Sequence, residues 1–428
     1  MSAVAGAALV VAALTLTVWR GPQYLVAPNF WAEDGTLFFA GAWHGGLLHG
    51  LVQRPAGYLL LYPNLVTSLA VGLVRSDLIS LAAAPRVTAA AALLAQLLPI
   101  ALLAFAAAPA WGGIVRRAAA IAAVLFGTRT GGIWLNTVNS QFFLTLAVIV
   151  VLLEPAIVGR TRERIHATVV AVAGLTGPVA SFVTLLFLWK AWRARSRSTI
   201  LVAATSAACA AVQLVCIWQG HLLSAPERTQ HFSLAVAGTV ALMRTVVLPV
   251  LGPDAALVFA RGVQPLPGIV GLPFVPSSMF AVLMLVALAS IVVGLAWGVP
   301  REVRWWLVGS YALVTAGTMA GALGDLRVML GGVEASARYA FVPGVLVLWL
   351  LVLNVRHVRS APSLVCAALL AHGLGMGALH WRETLRWRAS WAQWPEQVEA
   401  WQRDPFTPLR IWPRGWAIRL APRTRVGI

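Results

Sequence analysis

Long apolar runs separated by short polar breaks make up most of this chain of 428 residues. A bilayer core about 30 Å thick requires roughly 20 apolar residues per spanning helix, and many of the runs reach or approach that length. The runs do not alternate apolar with polar residues, as the strands of a membrane barrel do. The pattern therefore predicts an all-α, polytopic helical membrane protein with about 11–13 transmembrane or re-entrant helices. The predicted spans are residues 3–19, 56–74, 86–108, 118–128, 139–153, 165–176, 178–189, 199–218, 276–298, 303–320, 340–354 and 361–380.

Several of the central runs, such as 118–128 and 165–176, are too short to cross an average bilayer alone. Irregular backbone at membrane depth is tolerated where it lines a cavity instead of facing lipid. We therefore expect these short segments to form helical hairpins that reach a recessed cavity.

Composition supports the membrane class, because 60% of the residues are hydrophobic, 11% are charged, and the mean hydropathy is +0.82. Soluble domains are about a quarter charged. Much of the net charge of +18 lies in short loops between the apolar runs, which is the sequence signature of the positive-inside rule. This distribution predicts contact with a bilayer and no nucleic-acid partner. The three cysteines lie within apolar stretches and indicate neither a disulfide framework nor a thiolate metal site.

The basic loops also predict the topology, because the loops richest in arginine are expected in the cytoplasm. One conflict remains. Arg75 and the pair Arg116-Arg117 can both be cytoplasmic only if the segment between them crosses twice or not at all. Either residues 56–74 lie in the interface or Arg116-Arg117 faces outward. The loops assigned to the cytoplasm are 159–164, 190–197, 301–304 and 356–359, and those assigned to the outside are 20–55, 128–138, 219–275 and 321–339.

Two domains follow from this topology. Residues 1–380 are predicted to form a transmembrane domain that includes the outer loop 20–55, and residues 381–428 a short extracytoplasmic tail. The tail is rich in Trp and Arg and has no spanning run. Its tryptophans could stack on sugar rings, although an interfacial aromatic belt is the more frequent use of such residues.

The outer loop carries an adjacent acidic pair, Glu33 and Asp34, within what we term the acidic segment (residues 29–38). The chain has only 14 acidic residues, and carboxylates are costly near lipid unless they belong to a site or an ion pair. Neighbouring side chains of an extended loop point to opposite faces, so we expect the two carboxylates to have different roles. One could be a general base toward an acceptor hydroxyl, and the other could orient that acceptor or hold a metal ion. The structural alternative is a helix cap formed by Asp34.

A polar run from Asn136 to Gln141 lies between two short apolar runs on the predicted outer side. Its amides suit hydrogen bonds to hydroxyl-rich ligands. A helix N-cap at Asn136 or Asn139 explains the same residues nearly as well.

Two further motifs could recognise phosphate. The Gly177-Pro178 break either ends one helix and begins another, whose free N–H groups attract anions, or only kinks a single helix. Arg338-Tyr339 precedes a predicted span on the outer side. An arginine at that place could clamp a phosphate by bidentate hydrogen bonds or extend to the interface.

Taken in order, these motifs resemble those of bacterial multi-pass glycosyltransferases of the GT-C class. The resemblance extends over nearly the whole chain, and the acidic pair after the first helix is its most diagnostic part. The motifs are Phe30-Trp31-Ala32-Glu33-Asp34-Gly35, Pro55-Ala56-Gly57-Tyr58-Leu59, Asn139-Ser140-Gln141-Phe142-Phe143, Leu175-Thr176-Gly177-Pro178 and Arg338-Tyr339-Ala340-Phe341-Val342-Pro343.

The resemblance implies an enzyme that transfers a sugar, with inversion, from a polyprenyl-phosphate carrier to a glycan, lipid or protein acceptor. The site would face outward from the bacterial cytoplasmic membrane. Glu33 or Asp34 would be the base that deprotonates the acceptor hydroxyl, and a divalent cation held by one of them is left open. Arg338 would hold the donor phosphate. The other substrate-binding candidates are Tyr339, Asn139, Gln141, Arg54, Arg129 and His44.

Other functions compete with this one. A transporter or lipid-carrier flippase also uses broken helices and buried charges, but it usually shows an internal repeat, and no convincing one is found in this sequence. A polymerase or ligase of surface polysaccharide would use the same carrier with different site chemistry. A membrane assembly factor would need no ligand at all.

Overall fold

The computed structural model describes residues 2–127, 131–155, 159–220, 234–263, 277–322, 329, 336–355, 360–382 and 393–422. These residues are mainly helical, and the predicted all-α, polytopic membrane class is confirmed. The described α-helices are α1 (Ala3–Arg20), α2 (Gln23–Val26), α3 (Ala40–Val52), α4 (Leu61–Arg75), α5 (Ala84–Ala104), α6 (Ile114–Phe126), α7 (Ser140–Leu153), α8 (Arg160–Gly174), α9 (Thr184–Ala194), α10 (Arg197–Gln219), α11 (Leu234–Leu242), α12 (Leu248–Val263), α13 (Ser277–Trp297), α14 (Arg301–Gly321), α15 (Arg338–Asn354), α16 (Ala361–Leu379) and α17 (Trp394–Arg403). Short 3-10 helices lie at Leu81–Ala83, Pro109–Trp111 and Val179–Val183, π-helices at Asp34–Phe39 and Met243–Val247, and two strands at β1 (Leu409–Ile411) and β2 (Trp416–Ile418).

Six helical stretches of the described chain are long and apolar enough to cross a membrane. Helices α7 and α15 are apolar but shorter, and almost every residue in them is buried. A helix that is apolar on all sides belongs in the interior of a bundle, so these two form its centre. The six stretches are Ala3–Arg20, Leu81–Ala104, Arg197–Gln219, Val236–Gly262, Met279–Trp297 and Ala361–Leu379.

The short central helices agree with the expectation from the sequence. Helices α6, α8 and α9 have only 13, 15 and 11 residues. Helix α8 is followed by the Val179–Val183 turn and then by α9, so the chain is broken at this point instead of continuing as one kinked span. The break lies beside the cavity described below.

The topological conflict concerned two groups of arginines, which lie at opposite ends of α5. Arg75 ends α4 and donates a hydrogen bond to the carbonyl of Trp43, so it lies near the start of α5 and the acidic segment. Arg117 instead donates to the carbonyls of Leu103 and Ala104, at 3.2 and 2.9 Å, at the other end of α5. The Leu81–Ala104 stretch between the two arginines is long and apolar enough to cross a membrane, which argues against the expectation that both face the cytoplasm.

The end that carries Arg117 also contains the only lysine of the chain. Lys190 donates to the carbonyl of Leu152, in the last turn of α7, at 2.6 Å, and to the carbonyl of Glu154, the residue that follows the helix. The Glu154 carboxylate accepts hydrogen bonds from Arg162, at 2.7 Å, and from the backbone of Ala107. Cations placed at a helix C-terminus satisfy its free carbonyls, so this cluster fixes the end of α7 that lies away from the acidic segment.

Residues 393–422 form a small unit that we term the cap. It consists of α17 and an antiparallel hairpin in which Leu409 pairs with Ile418. Most of its tryptophans are buried, and Trp416 is 38% exposed. Their main use is therefore neither sugar stacking nor an interfacial belt, but a core shared with the acidic segment. Two other tail tryptophans, Trp387 and Trp391, lie outside the described residues.

Candidate active site

The acidic pair lies where the chain enters the π-helix Asp34–Phe39. Glu33 has helical backbone angles, with φ −65° and ψ −29°, so the pair is not in the extended conformation expected from the sequence. Successive residues of a helix are about 100° apart, and the two carboxylates still point in different directions. Their environments differ accordingly.

Asp34 ties the acidic segment to the polar run that precedes α7. Its Oδ1 accepts hydrogen bonds from the Thr137 hydroxyl and the Val138 amide, both at 2.8 Å, and its Oδ2 accepts from the Thr137 amide, also at 2.8 Å. The side chain is 1% exposed. These bonds join residues about a hundred positions apart in the chain. The carboxylate therefore acts as a cross-link between two loops and not as a cap of its own helix.

Burial also sets the protonation of Asp34, which lies outside the spanning stretches. Loss of hydration raises the pKa of this carboxyl from 3.8 to about 7. The hydrogen bonds from Thr137 and Val138 lower the pKa, and the negative charge of Glu33 raises it further. Burial prevails, so Asp34 changes charge near neutral pH.

Glu33 has the opposite character. It is half-buried and has no hydrogen bond or ion pair with any residue that the structure describes. Its side chain lines a cavity of about 340 Å³, which we term the site cavity. An unpartnered carboxylate facing an open volume is available to accept a proton from a bound molecule.

Most of the motifs singled out in the sequence meet at the site cavity. It is enclosed by residues from the acidic segment, the loop before α4, the start of α7, the break after α8, the end of α14 and the start of α15. Polar side chains converge from five of these parts, and the break after α8 contributes only apolar ones. The lining residues are Glu33, Leu37, Phe38, Pro55, Ala56, Tyr58, Leu60, Val138, Asn139, Gln141, Phe142, Pro178, Val179, Phe182, Gly317, Thr318, Gly321, Arg338 and Tyr339.

Arg338 supplies a positive charge to the cavity wall. Its guanidinium carbon lies 5.0 Å from the centre of the Tyr339 ring, and Nη2 donates to the Tyr339 hydroxyl at 3.5 Å. The Tyr339 ring in turn meets Phe142 edge-on, with centroids 6.4 Å apart. A guanidinium is planar and its fork of donors matches the oxygen atoms of a phosphate.

The polar run before α7 both starts that helix and lines the cavity. Asn139 takes the N-cap position of α7, but its side chain makes no capping hydrogen bond there. Asn136 Oδ1 accepts a hydrogen bond from the Asn139 amide at 3.0 Å in the turn before the helix. Asn139 donates from Nδ2 to the Gly132 carbonyl at 3.2 Å and lines the cavity as well. Gln141 is buried, and its Oε1 has no hydrogen-bond partner in the described part of the chain.

The Gly177-Pro178 break is shaped by its contact with the loop before α4. The Gly177 amide donates to the Leu59 carbonyl at 2.9 Å, and the Tyr62 amide donates to the Thr176 hydroxyl at 3.1 Å. Gly177 has φ +89°, and a Cβ there would lie 2.2 Å from Oε1 of Gln141. Glycine is required at this position both for its backbone conformation and for the space that Gln141 occupies.

Sequence reasoning missed the residue that holds these two loops together. Gln213, in the middle of α10, is 1% exposed and accepts from the Leu59 amide at 3.1 Å. Its Nε2 donates to the carbonyls of Leu59 and Gly174, each at 3.0 Å. The available signal was a single glutamine within an apolar run, which is costly to bury unless its amide is satisfied.

Two of the predicted substrate-binding residues, His44 and Arg54, do not line the site cavity. His44 is exposed, and its ring nitrogen accepts a hydrogen bond from the Ala421 amide at 3.2 Å. Arg54 is exposed and donates to Oε1 of Gln219, the last residue of α10, at 2.7 Å. Arg129 lies outside the described residues.

The acidic pair offers little for a metal ion. In the described ranges, no group of three or more His, Cys, Asp or Glu side chains is arranged to hold a metal. Both oxygens of Asp34 accept hydrogen bonds from residues 137 and 138. A cation bound at this place would therefore rely on Glu33 and on oxygen atoms of its substrate.

Comparison with known proteins gives one solved structure. No protein-family model matches this chain, and no curated protein sequence matches it. The chain is similar to the crystal structure of ArnT from Cupriavidus metallidurans bound to undecaprenyl phosphate, with 14% sequence identity and a TM-score of 0.37. The similarity covers 87% of this chain and 78% of that chain.

Proposed function

We propose that the protein is a membrane glycosyltransferase of the GT-C kind. It moves a sugar from a polyprenyl-phosphate carrier to an acceptor hydroxyl, with inversion at the anomeric carbon. The observation that carries the proposal is the site cavity, in which an unpartnered carboxylate, Glu33, and a guanidinium, Arg338, face the same volume. A base and a phosphate clamp are the two groups that this reaction needs most, because its leaving group is already a phosphate.

The proposed step is a single displacement. The acceptor oxygen forms a bond to the anomeric carbon while the bond from that carbon to the carrier phosphate breaks. Glu33 takes the proton of the acceptor hydroxyl, and the leaving electron pair goes to the phosphate oxygen, whose charge Arg338 stabilises. Asn139, Gln141 and Tyr339 would hydrogen-bond the sugar hydroxyls from the cavity wall.

Asp34 has a different part in this proposal. Its carboxylate is occupied by three donors from residues 137 and 138 and does not line the cavity. We assign it as a positioning residue that holds Glu33 against the polar run. The acidic pair therefore divides into one base and one cross-link.

A second cavity supports a lipid-linked donor. It has a volume of about 490 Å³, is almost entirely apolar, and lies among α11, α13 and α14. Helix α14 contributes Ala312 and Ala316 to this apolar cavity and Gly317 and Gly321 to the site cavity. A polyprenyl chain beside one face of α14 would leave its phosphate close to the other.

The proposal is tested by a transfer assay in membranes supplied with a panel of polyprenyl-phosphate sugars. Glu33→Gln removes the base, and we expect the transfer rate to fall about 10²–10⁴-fold. Asp34→Asn should reduce the rate less, because one acceptor oxygen of the cross-link remains. Glu399→Gln is the matched control, since Glu399 is an exposed carboxylate of the cap, and its rate should equal that of the wild type.

Full transfer by correctly inserted Glu33→Gln would refute the assignment of the base. Absence of transfer by the wild type from every donor in the panel, together with movement of a labelled lipid carrier across the bilayer, would favour the flippase instead. That second function is supported by Arg244, which is fully buried in the Val236–Gly262 stretch and donates to the Met329 carbonyl at 2.6 Å. Buried charges of this kind mark substrate pathways in transporters.

A further inference from the structure

The cap is joined to the acidic segment through the backbone on both sides of Trp31. The Trp412 amide donates to the Phe30 carbonyl at 3.0 Å, and the Ala32 amide donates to the Trp412 carbonyl. Trp31 and Trp412 thereby form a parallel β-bridge. The residue that follows this bridge and its second hydrogen bond is Glu33, so the cap fixes the chain at the position directly before the proposed base.

Aromatic packing reinforces the same contact. The Phe30 ring meets Trp394 edge-on, with centroids 5.1 Å apart, and lies 4.5 Å from the centre of Phe39. Trp43 donates from its indole nitrogen to the Ala421 carbonyl at 3.1 Å and meets the Trp401 ring edge-on. The acidic segment and the cap therefore share one buried core, in which the apolar side chains of each part shield those of the other from solvent.

Gly35 marks the closest approach of the two parts. A Cβ at this position would lie 2.6 Å from Cδ1 of Ile418 and 2.9 Å from Cδ1 of Ile411. Both distances are shorter than carbon atoms tolerate, so a methyl group at this position requires the two isoleucine side chains, or the cap that carries them, to shift. The two isoleucine atoms are the ends of side chains, and the next nearest atom is Cβ of Phe30, at 3.0 Å.

We propose that the cap is a positioning element for Glu33. Asp34 fixes the acidic segment from one side through Thr137 and Val138, and the cap fixes it from the other through Trp412 and the two isoleucines. Glu33 lies between these constraints, with its side chain directed to the site cavity. The inference rests on the proposed function, because it assigns the cap a part in placing the base of that reaction.

The physical reason is the steep distance dependence of proton transfer. A base must lie within hydrogen-bond reach of the acceptor hydroxyl, and a shift of about 1 Å can cost roughly 100-fold in rate. Glu33 has no hydrogen bond of its own among the described residues, so its position depends on the backbone on either side of it.

The test is a rescue experiment centred on Gly35→Ala. We expect this change to lower kcat about 100-fold while leaving KM for the polyprenyl-phosphate sugar nearly unchanged, because Arg338 and Asn139 lie on other elements. Adding Ile411→Val and Ile418→Val removes both Cδ1 atoms that the new methyl group would meet. The triple variant should recover most of the lost kcat relative to the valine pair alone.

Gly375→Ala is the matched control, because Gly375 is an exposed helical glycine of α16 and a Cβ there meets no other group within 4 Å. A second readout does not depend on catalysis. In a background without native cysteines, the rate at which a maleimide labels Glu33→Cys should change several-fold on adding Gly35→Ala. It should return when the two valines are introduced.

The two readouts separate the possible failures. If the wild type transfers sugar but neither kcat nor labelling responds to Gly35→Ala, the positioning role is wrong and the proposed function stands. If labelling responds and is rescued while the wild type transfers nothing, the proposed function is wrong, and the cap is shown to hold position 33 without serving that reaction. Loss of kcat without rescue by the valine pair would overturn the packing argument.

Discussion

The adjacent carboxylates of Glu33 and Asp34 differ in burial and in hydrogen bonding, so they can have different roles at one site. Asp34 is buried and accepts three hydrogen bonds, whereas Glu33 is half-buried and accepts none from the described residues. Where environments separate two acids in this way, the acid–base roles follow the environments. The residue that can still reach a substrate is Glu33.

The raised pKa of Asp34 predicts a pH dependence of stability. Between about pH 4 and pH 7 the folded protein holds a proton on this carboxyl that the unfolded chain has released, so stability falls as pH rises through that window. The full effect is on the order of 4 kcal/mol. Asp34→Asn does not titrate at this position. Its apparent unfolding temperature in detergent should therefore decline less than that of the wild type between about pH 5 and pH 8.

Glu399→Gln is the control for this measurement as well, because an exposed carboxylate contributes little to the slope. Its pH profile should coincide with that of the wild type. Equal slopes for the wild type and Asp34→Asn would mean that Asp34 is not the titrating group.

At the scale of residues, the sequence predicted which polar residues lie close together better than it predicted the role of each residue. Polar side chains of a membrane protein are costly in lipid and therefore collect in cavities or at the membrane surface. Glu33, Asn139 and Arg338 line one cavity. The bond from Asp34 to Thr137 joins two loops that no local pattern connects. The partner of a buried carboxylate could therefore not be read from periodicity or spacing.

Among the elements, the break between α8 and α9 is stabilised by the side-chain amide of a glutamine in another helix. The Gln213 side chain of α10 bonds to the backbone of Leu59, in the loop before α4, and to the carbonyl of Gly174, the last residue of α8. Such side-chain bonds to backbone replace those that an interrupted helix loses. The loop before α4 and the end of α8 thus depend on a single side chain of a third helix.

We predict that Gln213→Leu destabilises the protein by about 1–3 kcal/mol, because it leaves the Leu59 amide and two carbonyls with fewer partners in a buried place. The displaced loops carry Pro55, Tyr58 and Pro178, so KM for the donor should rise. Thermal unfolding in detergent and donor titration would measure the two effects.

Val215→Leu is a control on the same helix, because Val215 is 50% exposed and its replacement alters no hydrogen bond. It should unfold at the wild-type temperature. A Gln213→Leu protein with unchanged stability would show that the loops are held by their own contacts, such as the bond from the Gly177 amide to the Leu59 carbonyl.

The sequence anticipated the short helices but not the reason for their length. Helix α7 has 14 residues, and all of them are buried, so it meets other helices at every side and does not have to match the bilayer thickness. The π-helices at Asp34–Phe39 and Met243–Val247 were not anticipated either. Such helices are rare and short, and hydrophobic periodicity gives no signal for them.

Across the whole molecule, the polar groups are divided between two ends. The site cavity, Arg75 and the cap lie at one end of α5, and Arg117, Glu154 and Lys190 lie at the other. If the basic loops lie in the cytoplasm, as the positive-inside rule predicts, the proposed site would face outward. A carrier-linked sugar would be used there, since nucleotide sugars are not supplied outside the membrane.

This orientation predicts the labelling of introduced cysteines in intact cells. A membrane-impermeant maleimide should label Phe406→Cys, on the cap, and Leu78→Cys, between α4 and α5, because these side chains are 87% and 72% exposed. Arg160→Cys should be labelled only after the cells are made permeable. Labelling of Leu78→Cys only after permeabilisation would place α4 across the membrane and contradict the contact of Arg75 with Trp43.

The class of the fold followed from composition and run length, because the bilayer imposes both on the sequence. The place of the cap did not follow, since Trp and Arg suit a membrane interface as well as a buried core. Trp394 and Trp401 are buried among residues that lie hundreds of positions earlier in the chain.

That separation along the chain has a consequence for biogenesis. At about 5–20 residues per second, the ribosome completes the hairpin at Leu409–Ile418 tens of seconds after the acidic segment has emerged. During that interval Phe30, Phe39 and Trp43 lack the partners that later cover them. We therefore expect the nascent protein to be inactive until the cap has been synthesised and has packed against the acidic segment. A stop codon or a ribosome stall upstream of the cap would yield an inserted but inactive protein.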